Sequence, residues 1–173
     1  PIGLCATAGA RLLGATTIIA VDGNDHRLGI AQKMGADVTL NFKNCDVIDE
    51  IMKITGGRGA DSAIEALGTQ ATFESALRSI KPGGTLSSLG VYSEDLKIPL
   101  SAFAAGLGDH KINTALCPGG KERMRRLMNV LASNRLDLGL LVTHQYKLDD
   151  IVAAYDLFAH QRDGVLKVAI TPQ

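Results

Sequence analysis

The chain has 173 residues, and its 18 Lys and Arg balance 18 Asp and Glu, so the formal net charge is zero. That balance excludes the basic footprint of a nucleic-acid binder or a membrane-surface protein. With 46 % apolar and 21 % charged residues it is no disordered chain, and 19 Gly with no Trp point to tight backbone packing and many turns.

Residues 1–13 read as a helix, with Leu4, Cys5, Ala8 and Leu12 at helical spacing and Gly14 as the stop. Residues 16–21 are a short β-branched run, the pattern of a strand buried on both faces. A helix over 25–34, closed by Gly35, leads to a strand over 38–41. A third helix spans 46–55, with Val47, Ile51 and Ile54 on one side, followed by a strand over 61–66. A helix over 69–80 places Phe73, Ala76, Leu77 and Ile80 inward, and Pro82-Gly83-Gly84 reads as its stop before a strand over 85–90. Strand and helix alternate with short loops, which predicts βαβ units and a parallel sheet with right-handed crossovers.

The rhythm then changes. Residues 93–107 look irregular, 111–116 form a strand, and 121–133 an amphipathic helix striped by Met124, Leu127, Met128 and Leu131. A helix over 148–160 and a strand over 165–170 close the chain, with a hinge expected at 136–141.

Cys5, Cys45 and Cys117 are odd in number and widely spaced, which argues against a disulfide framework and for a reducing, cytoplasmic setting. Cys5 and Cys45 read as packed thiols. The four histidines show no ligand spacing, so no metal site is expected from this chain alone. No apolar run approaches the ~20 residues of a membrane span. The N-terminus carries no secretory pattern. The absence of a leading Met sets the expectation that further sequence precedes Pro1.

Pro1-Ile2-Gly3 runs straight into a helix, and Asp22 stands at the end of the first strand. A dinucleotide fingerprint is G-x-G-x-x-G, a helix, a strand, and an acidic residue about 20 positions on. Gly3 fits its third glycine, which sets the first strand and first two glycines ahead of Pro1. A helix N-terminus attracts pyrophosphate through its dipole and free N–H groups. A carboxylate at the strand end accepts the adenosine ribose hydroxyls. The bland alternative makes Gly3 a turn glycine and Asp22 the cap of the next helix. Asp22 favours NAD over NADP, because a 2′-phosphate there meets repulsion of about 4 kcal/mol at roughly 4 Å and an effective dielectric of about 20. Arg27 stands five residues on, placed to pair with Asp22 or reach the ribose. Loops after two later strands, Glu65-Ala66-Leu67-Gly68 and Leu89-Gly90-Val91-Tyr92, fall where ligands bind in this architecture. The fold class is therefore α/β, a Rossmann-type doubly wound parallel sheet.

Pro1-Ile2-Gly3, Asp22, Lys81-Pro82-Gly83-Gly84 and Leu141-Val142-Thr143-His144 resemble, in that order, the medium-chain zinc-dependent alcohol dehydrogenases. Leu116-Cys117-Pro118-Gly119-Gly120 and Asn134-Arg135-Leu136-Asp137-Leu138 look most like the secondary-alcohol (isopropanol-type) branch. The resemblance implies a cofactor domain over 1–138 and a C-terminal helix-strand segment over 139–173 that belongs to a GroES-like catalytic domain outside this chain. It places Pro1, Ile2 and Gly3 by the pyrophosphate, Asp22 and Arg27 on the adenosine ribose, and Ala66, Leu67, Leu89, Gly90 and Val91 on the nicotinamide side. Lys167 looks like the basic residue that reaches the pyrophosphate, and Asn134 approaches the nicotinamide end. Where NADP-using members carry Gly-Ser-Arg, this chain has Asp22-Gly23-Asn24, which again favours NAD.

In such enzymes zinc polarises the alcohol oxygen and hydride passes to the nicotinamide. The resemblance puts the zinc ligands, and every catalytic residue, outside this chain, so it is expected to bind cofactor without turning over alcohol or ketone. It also implies a homodimer or tetramer through the sheet edge near Lys97 to Leu100 and Lys111 to Leu116. The residues leave open a zinc-independent quinone or enoyl reductase, a non-catalytic nucleotide-sensing domain, and a methyltransferase, the last opposed by the tail helix and the Leu-Cys-Pro-Gly-Gly run.

Overall fold

The structure is a computed structural model and describes residues 1–103 and 108–172. It opens on α1 (Ile2–Leu12), then alternates through β1 (Ile19–Asp22), α2 (Asp25–Lys33), β2 (Val38–Asn41), α3 (Val47–Ile54), β3 (Ala60–Glu65), α4 (Gln70–Arg78) and β4 (Ile80–Ser88). β5 (Lys111–Thr114), α5 (Lys121–Ala132), β6 (Val142–Lys147), α6 (Ile151–Ala159) and β7 (Lys167–Thr171) complete it. Among the described residues every strand pairing is parallel: β1 with β2, β3 with β4, β4 with β5, and β6 with β7. This is the Rossmann-type α/β fold that the alternation predicts.

Local chemistry sets the helix starts. The Asn24 side chain accepts from the N–H groups of His26 and Arg27, and Asp46 accepts from Ile48 and Asp49. Thr69 and Thr72 form a reciprocal capping box at α4. Each such cap contributes about 1 kcal/mol.

Two apolar cores result. Leu4 and Ala8 of α1 pack with Ile30, Ala31 and Met34, and the tail adds Leu141 and Leu166 to the same cluster. The second core gathers Phe73, Leu77, Ile80, Leu86 and Ala102, with Ile112 and Tyr92 against it. The C-terminal segment is thus anchored on α1 and α2 by two side chains that are almost wholly buried.

Apart from the separate β6–β7 pair, the strands lie in two blocks, β1–β2 and β3–β4–β5. β1 pairs only with β2 and β3 only with β4 on its described sides, which leaves one edge of each unpaired. α1 spans the blocks, touching both α2 and β3.

Four expectations need correction. Pro82-Gly83-Gly84 does not separate helix from strand. β4 already begins at Ile80, and its register with β3 slips between Ala60 and Ser62 to absorb the run as a bulge. Gly83 adopts φ +74° there. β6 was not anticipated, because Thr143, His144, Gln145 and Lys147 give it a polar face instead of an apolar run. Cys5 is exposed on α1, not packed. The strand expected over 111–116 ends at Thr114, and Leu116 stands 87 % exposed. The irregular segment over 93–107 contains one 3-10 turn, Leu100–Phe103, and its last four residues lie outside the described ones. Among the described residues no helix is long and apolar enough to cross a membrane.

Candidate functional site

Parallel α/β sheets bind ligands outside the carboxyl ends of their strands. Asp22 ends β1, Glu65 ends β3 and Ser88 ends β4.

Asp22 does not cap α2; Asn24 does. The Asp22 Oδ1 accepts from the Asn24 N–H at 2.9 Å, and Oδ2 lies 3.9 Å from Nη1 of Arg27. Both side chains are half-buried, so the pair itself is worth little, about 0–1 kcal/mol. Its effect is orientation, and the other Arg27 nitrogen extends the link. Nη2 donates to Oε1 of Gln161 at 3.2 Å, 134 positions along the chain. Gln161 sits at φ +49° in the turn after α6. In the same turn Gly164 packs against the His26 ring.

Pro1 precedes α1, which has no side-chain cap, so its first-turn N–H groups remain available to an anion. The Pro1 start of α1 lies within electrostatic reach of Arg27, Lys167 and Asp22. Gly3 falls in the first turn, and a Cβ there would rest 3.7 Å from that of Ala66, an ordinary contact. The helix start thus meets the end of β3, and steric need alone does not demand glycine at that position.

The loops after β3 and β4 pack backbone on backbone. A Cβ on Gly68 would overlap the Val91 carbonyl and lie 2.7 Å from its nitrogen. A Cβ on Gly90 would overlap the Gly68 backbone. This contact leaves Leu67, Leu89 and Val91 exposed side by side in sequence terms, on two loops that touch. Asn134 lies apart from these loops in the chain; it closes α5 at φ +55°, its N–H donating to Leu131.

Beneath the loops sits a carboxylate that the pattern of glycines and apolar residues does not reveal. Glu65 is 3 % exposed. Its Oε1 accepts from the Leu67 and Gly68 N–H groups and from the Thr72 hydroxyl, each at 2.8 Å. Its Oε2 accepts from the Tyr92 hydroxyl at 2.7 Å and from that of Ser88 at 3.2 Å. Burial alone pushes the carboxyl up, yet the donors from Gly68, Tyr92, Leu67 and Thr72 together hold it below its ordinary range. Burial and the adjacent Glu65 push the Tyr92 phenol up. The only sequence signal for this cluster was an acidic residue at a strand's end followed by Ala-Leu-Gly.

Among the described residues no three His, Cys, Asp or Glu side chains converge on one point.

Comparison with known proteins agrees with this architecture. Residues 1–133 match the family model described as zinc-binding dehydrogenase. The chain is 84 % identical over 172 residues to an alcohol dehydrogenase of Cupriavidus necator, covering 99 % of this chain and 47 % of that protein. It is 35 % identical to the NADP-dependent isopropanol dehydrogenase of Thermoanaerobacter brockii, covering 98 % and 49 %. Among solved structures, the alcohol dehydrogenase TADH from Thermus sp. ATN1 superposes with a TM-score of 0.89 at 29 % identity, over 100 % of this chain and 49 % of that one. The chain spans about half the length of the curated relatives it matches. With the parallel sheet, the strand-end carboxylate and the uncapped helix start in one place, the chain belongs to the zinc-binding dehydrogenase family.

Proposed function

We propose that this chain is the NAD(H)-holding half of an alcohol dehydrogenase acting on a secondary alcohol or its ketone. The observation that carries the reading is the Asp22 carboxylate at the end of β1, beside Arg27 and within reach of the Pro1 start of α1. The relatives named alcohol and isopropanol dehydrogenase favour this over a zinc-independent reductase or a nucleotide-sensing domain. A bound nicotinamide accepts or gives up the hydride.

The chain's own residues hold that group. Asp22 accepts the two hydroxyls of the adenosine ribose, and Arg27 keeps the carboxylate turned toward them. The first-turn N–H groups at Pro1, Ile2 and Gly3, with Lys167, balance the pyrophosphate. Ala66, Leu67, Leu89, Gly90 and Val91 offer the ring an apolar seat that excludes water, and Asn134 approaches from the α5 end. Residues 1–138 make up this cofactor domain, and residues 139–173 return to the catalytic domain. The unpaired edges of β1 and β3 fit a further parallel strand between them, supplied ahead of Pro1. Zinc and the walls of the substrate pocket belong to the other half. The three free cysteines suit a cytoplasmic setting.

Isothermal titration tests the reading. NADH is expected to bind, and NADPH about tenfold more weakly, because the Asp22 charge repels the 2′-phosphate. Tighter binding of NADPH reverses the cofactor preference. Binding of neither nucleotide removes the site, and turnover of 2-propanol by this chain alone removes the half-enzyme reading.

β5 is the outer strand of its block, and the reading includes a symmetric dimer or tetramer paired along it. The Lys97 to Leu100 stretch belongs to the same reading, although the Lys97 backbone is bonded to the Gln70 side chain at the start of α4. Ile112 faces the second core, so it is no clean probe of an interface. Leu116→Asp is the better variant. Light scattering should then report monomers; a dimer that persists removes this edge as the contact.

A further inference from the structure

We propose that Glu65 is a positioning residue: one buried carboxylate locks the loops after β3 and β4 into a single rigid ledge for the nicotinamide ring. This rests on the reading above that the chain holds a nicotinamide dinucleotide. It adds a residue that touches no ligand and acts through those that do.

The geometry is that of a clamp with two jaws. Oε1 gathers the Leu67 and Gly68 N–H groups and the Thr72 hydroxyl, which fixes the loop after β3 to the first turn of α4. Oε2 gathers the hydroxyls of Tyr92 and Ser88, which lie 2.6 Å from each other and belong to the other loop and to the end of β4. The Leu89 N–H donates to the Glu65 backbone carbonyl at 2.8 Å, so main chain and side chain hold the same two segments. The Tyr92 ring is itself located, edge-on to Phe73 at 6.2 Å between centroids.

Three features indicate a built device instead of a chance buried acid. Among the described residues no Lys or Arg bonds to it, and the negative charge is met there by five neutral donors, all from the two loops and the elements they join. The loops it joins touch backbone to backbone at Gly68, Gly90 and Val91, a contact that tolerates no drift. The side chains those loops present, Leu67 and Val91, are 67 % and 81 % exposed and touch little of the chain themselves. They cannot fix their own positions by packing; the backbone beneath them has to do it. A carboxylate that accepts two successive N–H groups sets that backbone more firmly than neutral hydrogen bonds would.

The test separates the ring from the rest of the cofactor. ADP-ribose carries the adenosine, ribose and pyrophosphate but lacks nicotinamide. Wild type, Glu65→Ala, Glu65→Gln and Tyr92→Phe are titrated with NADH and with ADP-ribose, and far-UV circular dichroism reports folding. Glu65→Ala is expected to lose about tenfold in NADH affinity, the effect of leaving buried N–H donors unpaired, with ADP-ribose unchanged within about twofold. Glu65→Gln should regain most of the loss, since its carbonyl still accepts from Leu67 and Gly68 while its NH₂ donates to the two hydroxyls. Tyr92→Phe keeps the ring and removes one donor, so it should show a smaller loss of the same kind, about threefold. If Glu65→Ala does not fold, Tyr92→Phe and Glu65→Gln decide. The proposal is overturned if folded variants weaken both ligands together, or neither. A wild-type chain that binds neither ligand overturns the nucleotide reading itself. One that binds ADP-ribose as tightly as NADH overturns the ledge alone.

Discussion

Replacing Asp22 by glycine should weaken NADH binding about 100-fold, the loss of two charge-assisted hydrogen bonds worth roughly 3 kcal/mol together. The same change should invert the preference, so that NADPH binds more tightly than NADH. The reason is local. Arg27 faces Oδ2 of Asp22, and without that carboxylate its guanidinium is free to take a 2′-phosphate. The fold should survive, because α2 is capped by Asn24 and not by Asp22. Asp22→Asn is the paired control: it keeps an acceptor for the Asn24 N–H and removes only the charge. Titration of both variants with both nucleotides gives four affinities. NADH affinities within about threefold of wild type would take the ribose away from this carboxylate, since an ionic acceptor lost from such a site costs more than that.

Gly68→Ala should be among the most damaging added methyl groups in the described chain. Gly68 adopts φ +98°, and an added Cβ meets the carbonyl oxygen and nitrogen of Val91, which are backbone atoms with no rotamer to escape into. Left-handed strain and overpacking together cost about 4 kcal/mol, a large share of the 5–15 kcal/mol typical of a folded domain. Gly14→Ala is the matched control. It also has positive φ, +87°, but nothing lies within 4 Å of the added Cβ. Strain alone then applies, about 1 kcal/mol. Urea denaturation of both variants measures the difference directly. Equal destabilisation would mean that the two loops do not pack backbone on backbone at Gly68.

The sequence made the scaffold legible where one physical signal dominates. Val47 and Ile51 recur at helical spacing behind an aspartate, and α3 buries both of them with Asp46 as its cap. Asp22 stood out because its distance from a glycine-started helix is set by the geometry of one βα unit. Pro82-Gly83-Gly84 misled because such residues usually break elements, whereas here a strand bulge uses them. β6 was invisible because a polar strand lacks the apolar alternation that marks one. Glu65 was unreadable for a different reason. An acidic residue is ordinarily a surface residue, and its five donors come from three segments that only folding assembles. The bond from Arg27 to Gln161 likewise joins positions that no local pattern connects.

On the proposed reading, that last bond ties the grip on the adenosine to the posture of the tail. Gln161 and Gly164 belong to the turn between α6 and β7, and both touch α2 beside the Asp22 carboxylate. Any displacement of that turn acts on Arg27, and through it on Asp22. Linkage is reciprocal, so a nucleotide that draws Asp22 and Arg27 together stiffens the turn by the same free energy. If the proposed site holds a nucleotide, that turn is a tether whose tension the bound nucleotide would report.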